Sequence, residues 1–435
     1  MLESGLYFAC LGVLTYLAYR RPPVALVAYI CMFGIEQLGQ LYLSFVRSYG
    51  LFTNLYILTL VAVAVIYTIL SGKLTLGFGT RGRKVRNFSV ALFVFALVSL
   101  IWTPIDAWEL WTNQWPYFFV SLMFAPLLIN RTDDLDYVQT TLLWIGGAMM
   151  IFMAFIPEWG NRSLIISDTG EEIGLPLSLS QLSGYVLITA SIFFRKSNIN
   201  TAWLSIIIVA ALVVLLRTGS RGQFIFSIFS VLVVTPLVWR RVTLKNAMQL
   251  MLVAGLIASV SFYAFDATVS FSGRWETGTM AEDLGARLDK AQILLAAWMS
   301  SPLSIIFGLG NSASYSTELV GRYPHIVPME ILGEEGIIGF GLFCALIVTV
   351  VRQALRVNSL VILSEEIRRN YAASFACFVF TLLLSFKQGS YLDSSMIFFF
   401  AVLTERYFLI IKADISGNLK NWDMNAARRP QEPNL

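Results

Sequence analysis

The single histidine of the chain, His325, stands in RYPHIVPME, with Pro324 directly before it and Pro328 three residues after it. Proline fixes φ and disfavours helix in the residue that precedes it, so helix is predicted to begin only near Met329. An imidazole held in such a stiff, non-helical segment is suited to taking a proton near neutral pH, the task of a general base. The plainer alternative is a loop histidine with no chemical duty; its place at the end of the one large loop favours the chemical reading. Glu330, Glu334 and Glu335 fall in the first turns of the predicted helix. Carboxylates there either face a substrate, as Glu330 and Glu335 would, or simply suit a helix N-terminus.

A second set of residues lies in LLRTGSRGQF, where Arg217 and Arg221 are four residues apart across a very short turn. Two guanidinium groups so confined make an anion clamp: each fork matches phosphate oxygens bidentately and stays charged at any relevant pH. Gly219, Ser220 and Gly222 would let backbone approach the anion, and the N-terminus of the following helix adds N–H donors. Simple snorkelling of two arginines at a helix end is the competing explanation. Glu36, with Gln37 and Gln40, is a polar patch inside an apolar segment. An acid in a membrane helix is a candidate functional residue, although a structural ion pair is equally open.

The elements that must position these groups follow from composition. Of 435 residues, 57% are hydrophobic and 13% charged, and the mean hydropathy is +0.70. A soluble enzyme is excluded, since soluble chains carry about 25% charge. Apolar runs of bilayer-crossing length recur up to about Lys412 and predict an all-α, polytopic transmembrane helix bundle of about 12–13 spans. The fifth of these is expected at 116–130 and the tenth at 247–265. Continuous runs, rather than alternating ten-residue segments, exclude a β-barrel. The organisation expected is helices over 1–265, an outer loop over 266–329, further helices over 330–412 and a cytoplasmic tail over 413–435, of which NLKNWDMNAARRPQEPNL (418–435) is polar and read as disordered. The segment MLESGLYFAC lacks a basic leader and is read as a retained first span.

Basic residues cluster in loops after odd-numbered spans, among them Arg20 and Arg21, Arg83, Lys84 and Arg86, and Arg240 and Arg241. That asymmetry predicts an outer N-terminus and an inner C-terminal tail. The net charge of +4 therefore reports topology and gives no reason to expect nucleic acid. Arg83, Lys84 and Arg86 suit a topogenic signal, with a lipid-headgroup site as the alternative. Trp102, Trp108, Trp111 and Trp115 are expected to form an interfacial belt, or else a platform for sugar rings. Cys10, Cys31, Cys344 and Cys377 all lie in apolar runs and are read as buried small hydrophobes.

The long loop is expected on the outer face, so the chemistry is expected there too. Within it Leu284, Leu288, Ala291, Leu295 and Trp298 recur at helical spacing and predict an amphipathic helix that carries Arg287 and Lys290. Pro302 ends it, and Gly308 and Gly310 mark a turn. A site on that face meets no soluble nucleotide sugar, so an activated donor would have to come from the membrane, as a lipid-linked diphosphate sugar does. Arginines can stabilise a departing diphosphate, and His325 would deprotonate the acceptor hydroxyl, which makes the reaction a glycosyl transfer. The chain offers no metal-ligand spacing, so no metal or cofactor is expected. The competing class is a transporter or flippase of lipid-linked saccharide, but no paired halves with midplane polar residues are apparent.

From about Leu216 to Phe343 the chain resembles the bacterial O-antigen ligase and O-antigen polymerase family. The resemblance rests on the SRG turn (Arg217, Ser220, Arg221, Gly222), Arg287 in the amphipathic helix, the Gly308–Gly310 turn, and the PH motif running into ME-IL-GEEGIIGF. It implies an integral-membrane glycosyltransferase of GT-C-like type in the bacterial inner membrane. Its implied donor is an undecaprenyl-diphosphate-linked glycan at the periplasmic face, and its acceptor a lipid-linked repeat unit or the lipid A core. By resemblance Arg217, Arg221 and Arg287 would hold the diphosphate and His325 would be the base. Many relatives carry Asn after the histidine, where this chain has Ile326.

Overall fold

The computed structural model describes residues 2–73, 83–108, 117, 119–156, 164–165, 172–173, 177–194, 199–238, 277–360, 363–387 and 389–427. Away from water each backbone N–H and C=O must be satisfied within its own segment, so apolar runs of this kind fold as helix. The first half holds α1 (Leu2–Arg20), α2 (Ala25–Tyr42), α3 (Ser44–Ser48), α4 (Phe52–Leu70), α5 (Lys84–Ser99) and α6 (Thr132–Phe155). A minimal antiparallel hairpin, β1 (Leu164–Ile165) and β2 (Glu172–Ile173), pairs Leu164 with Ile173. Then come α7 (Leu177–Phe193), α8 (Thr201–Arg217), α9 (Arg221–Val238), α10 (Thr277–Trp298), α11 (Pro302–Phe307), α12 (Val327–Ser359), α13 (Glu365–Leu384) and α14 (Ser395–Ala427).

Among the described residues five helical segments are long and apolar enough to cross a bilayer: Pro22–Tyr42, α4, α6, α9 and α12. The chain is an all-α polytopic membrane protein. Fewer helices pass this test than the spans expected from sequence. Helices α7 and α8 are apolar but have 17 residues each, about 25 Å of rise. Helices α13 and α14 carry Arg368, Arg369, Glu405 and Arg406 within their length. The span expected at 247–265 lies outside the described residues, as do Trp111 and Trp115.

Three expectations are corrected. The fifth span is not a continuous helix over 116–130: a π-turn over Val120–Phe124 passes into a 3-10 turn over Ala125–Leu128, and the chain is extended at Ile129. Pro126 explains the break, since it lacks an N–H and crowds the preceding turn. The tail expected to be disordered is helical as far as Ala427, because extending an existing helix costs no nucleation. Of the cysteines only Cys31 and Cys377 are buried; Cys344 is half-buried and Cys10 exposed. An apolar run reports avoidance of water, and lipid tails are as apolar as a protein core.

The pairings that matter for the site are α9 with α13, α5 with the long helix α12, and α10 and α11 with the first part of α12. Helix α12 is interrupted at Gly336, whose φ of 62° and ψ of −166° are far from helical. Residues 327–335 and 337–359 are therefore two helical pieces joined by a bend.

Candidate functional site

The bend in α12 is built by interlocking turns. Non-helical backbone at Gly336 leaves carbonyls upstream without their usual partners, and the turn after α11 supplies replacements: the Leu309 N–H donates to the Gly333 carbonyl at 3.0 Å and the Gly310 N–H to the Glu334 carbonyl at 2.9 Å. The two strands of backbone touch. A Cβ on Gly308 would lie 2.0 Å from the Glu334 carbonyl oxygen, and one on Gly336 would lie 2.4 Å from that of Ile306.

Two buried glutamates hold the segment after this turn. Glu334 accepts the Ser312 and Ser314 N–H groups at 2.9 and 3.0 Å. Glu335 Oε1 accepts from Tyr391 Oη at 2.7 Å, Asn311 Nδ2 at 3.0 Å and Ser99 Oγ at 3.4 Å. Ser99, at the end of α5, also accepts the Asn311 N–H at 2.9 Å. Glu335, expected to face substrate, is thus an anchor that ties α5, the 311–316 turn and the 390–394 turn to α12. Glu330 is 1% exposed and interacts electrostatically with Glu334 and Asp393 and through a hydrogen bond with the Tyr391 backbone.

On top of this scaffold sits His325. Its own φ is 63°, a left-handed value rare for a non-glycine residue, and the following backbone is pinned by the Val327 N–H donating to the Ser385 carbonyl at 2.8 Å. Helix starts at Val327, two residues earlier than the prolines suggested. The imidazole packs edge-on against Tyr323, centroids 4.3 Å apart, and Tyr323 in turn packs against Tyr315. Burial holds the imidazole well below its ordinary value, and the nearby cations Arg287, Lys290 and Arg322 push the same way, to about 4. Burial and the Asp393 carboxylate raise the Tyr323 hydroxyl, so at neutral pH this group offers an unprotonated imidazole and a proton-bearing phenol.

Two of these cations, Arg287 and Lys290, come from α10, and Arg322 from the segment just before His325. Helix α10, found where the amphipathic stripe predicted it, buries Ala291 and Leu294 and leaves Leu288 exposed. Leu294 contacts the glycine face of α12 at Gly333, which aims Arg287 toward the 385–387 turn, where its Nη1 donates to the Lys387 carbonyl at 2.7 Å. The Lys387 side chain lies over Gly222, where a Cβ would come within 2.6 Å of its Cδ and 2.9 Å of its Nζ. Through Lys387 the start of α9, with buried Ser220 and Arg221 beside Gly222, is joined to Arg287 and to the cationic surroundings of His325.

The remaining expected residues sit elsewhere in the contact pattern. Arg217 is exposed and donates from Nη1 to the Ala154 and Ile156 carbonyls, at 3.2 and 3.4 Å, at the C-terminal end of α6. Glu36 belongs to a separate polar group, accepting from Gln40 Nε2 at 3.2 Å and bonding with Asn54. Lys387, Arg322, Tyr323, Tyr391 and Asp393 were not anticipated. The signal that could have found most of them is the short polar stretch KQGSYLDSS between two apolar runs.

Residues 206–344 match the family model described as O-antigen ligase. The match begins within α8 and runs through α9, α10, the Gly308–Gly310 turn and His325 into α12. No curated protein matches the chain.

Proposed function

We propose that this chain, which belongs to the O-antigen ligase family through residues 206–344, transfers a glycan from an undecaprenyl-diphosphate-linked donor to a hydroxyl of an acceptor at the periplasmic face of the bacterial inner membrane. The acceptor is either the next lipid-linked repeat unit or the lipid A core. The observation that carries this reading is a half-buried imidazole that feels the charges of Arg287, Lys290 and Arg322, with Arg287 linked through Lys387 to the turn that bears Arg221.

Arg221 and Arg287 hold the donor's diphosphate, with Arg217 at the margin, and the N-terminus of α9 adds backbone donors. The acceptor oxygen attacks the anomeric carbon, the bond from that carbon to the diphosphate oxygen breaks, and the acceptor's proton passes to His325. The lipid diphosphate leaves as an anion whose charge the arginines offset. One displacement of this kind inverts the anomeric centre.

The electrostatics couple the two halves of the site. With no anion bound, burial first and the surrounding cations second make His325 a weak base. A diphosphate offsets the cations' share of that effect and so raises the basicity of His325, in the direction general-base catalysis needs. The base therefore strengthens when a donor is in place. The test is His325→Ala at unchanged protein abundance, read by electrophoresis of surface glycan. A transferase loses about 10²–10⁴-fold in rate while still binding donor; unchanged glycan would refute the assignment and favour a transporter. In a deletion strain, a single repeat on the lipid core identifies a polymerase, and no O-chain with glycan stranded on the carrier identifies a ligase.

A further inference from the structure

Two long runs of the chain carry no charged residue, one between Arg86 and Asp106 and the other between Lys290 and Glu318. The fold brings parts of them together at the end of the bundle that bears His325. Trp102, just past α5, packs edge-on against Phe307 of α11, ring centroids 6.5 Å apart. On its other side α11 meets the bend of α12, where a Cβ on Gly336 would lie 2.4 Å from the Ile306 carbonyl oxygen.

Helix α11 is inside out for a helix that faces water. Its serine is turned inward: Ser304 is buried, its hydroxyl donates to the Trp298 carbonyl at 2.7 Å, and its N–H donates to Ser301 Oγ at 3.1 Å. Its large apolar side chains are turned outward, with Leu303 70% exposed and Ile306 and Phe307 exposed beside it. The neighbouring 101–105 segment adds Ile101 at 82%, Ile105 at 90% and the exposed indole of Trp102. A helix bathed in water shows the opposite arrangement, and a contiguous exposed apolar patch marks a membrane or a protein interface.

Continuity decides for the membrane. Next to this crest the exposed residues of α12, Ile337, Val348, Val351 and Leu355, recur at helical spacing on a helix long and apolar enough to cross a bilayer. Val94 and Val98 extend the same surface on α5. No charged residue separates the crest from these faces along either chain run of α5 or along α12 beyond Glu335 as far as Arg352, and an indole suits headgroup depth. The geometry points to α11 and the 101–105 segment as a crest inserted in the membrane, at the boundary of headgroups and acyl chains in the leaflet on the side of His325. Its occupant is the lipid of that leaflet. Part of the segment expected to form an outer loop is thus immersed, and α11, whose following Gly308 turn locks α12, is held between lipid and the bend. This inference does not depend on the transfer assignment.

The test uses full-length protein reconstituted in phosphatidylcholine vesicles. A nitroxide is placed at Leu303→Cys, with Cys10 and Cys344 replaced by alanine, and its collisions with oxygen and with a water-soluble nickel complex are measured. The label at 303 is expected to meet oxygen several-fold more often than nickel, as a label at Ile337→Cys does, and a label at the exposed Thr317 to show the reverse. Tryptophan quenching by lipid brominated near the headgroup end of its acyl chains carries the test where the cysteine variants fail to fold: Trp102→Phe loses part of the quenched emission. A label at 303 as open to nickel as one at 317, or equal quenching of parent and Trp102→Phe, places the crest in water and overturns the inference. A label shielded from both probes means that protein, a second copy included, covers the crest, and overturns it as well.

Discussion

Replacing Gly308 by alanine tests whether the interlocked turns hold the site together. The new Cβ would stand 2.0 Å from the Glu334 carbonyl oxygen, 2.3 Å from its carbon and 2.6 Å from the Glu335 nitrogen. All three are backbone atoms, so no side-chain rotation relieves the clash, and the 308–310 turn must withdraw from α12 by about 1.5 Å to restore van der Waals contact. That movement stretches the hydrogen bonds from Leu309 and Gly310, now 3.0 and 2.9 Å, beyond useful length. Losing two hydrogen bonds costs about 1–3 kcal/mol, and alanine at a φ of 81° costs about 1–3 kcal/mol more. Gly321 is the control, since its φ is 67° but nothing lies within 4 Å of a Cβ there, which leaves only the backbone penalty of about 1–2 kcal/mol. The assay is the melting midpoint of each purified variant alongside glycan transfer in cells. Gly308→Ala is expected to melt well below Gly321→Ala and to lose transfer; equal midpoints for the two would refute the reasoning.

Three other outcomes are expected. Arg221→Lys keeps the charge but loses the planar fork, so transfer falls at least about tenfold at normal abundance, and full activity would remove Arg221 from the clamp. Tyr391→Phe deletes the 2.7 Å bond to Glu335 and lowers stability by about 1–3 kcal/mol, readable as a reduced melting midpoint, with no change in the chemistry assigned to His325. Because His325 titrates near 4 when folded and near 6.5 when unfolded, the unfolded chain binds more protons between those values. Its contribution to stability is therefore present above about pH 6.5 and is lost as pH falls toward 4, so His325→Gln should flatten the pH dependence of the midpoint in that window.

Hydropathy made the polytopic helical class legible, because transfer of apolar residues from water is a property of the sequence itself. It did not say which covering, protein or lipid, each apolar side chain finds, which is why Cys10 was read as buried. The amphipathic helix and the Gly308–Gly310 turn were readable from spacing and from the need for positive φ. The roles of Glu334 and Glu335 were not, since their hydrogen bonds reach the 311–316 turn, Ser99 and Tyr391, and such long-range partners leave no local pattern. Gly336 was visible as a motif glycine, yet a bend inside an apolar run looks like ordinary helix until its neighbours are known. Arg217 and Arg221 looked alike in sequence. One is buried at the start of α9 and the other donates toward α6, a difference fixed by the direction each side chain leaves its helix end.

With one histidine in the chain, every imidazole signal in a nuclear magnetic resonance spectrum belongs to His325. Titrating that signal in the full-length protein, with and without undecaprenyl diphosphate, measures the coupling between base and anion directly. The expected midpoint is near 4 in the free protein, with a rise when the diphosphate binds and a rise also in Arg287→Gln. A midpoint near 6.5 that neither the diphosphate nor the substitution moves would contradict it.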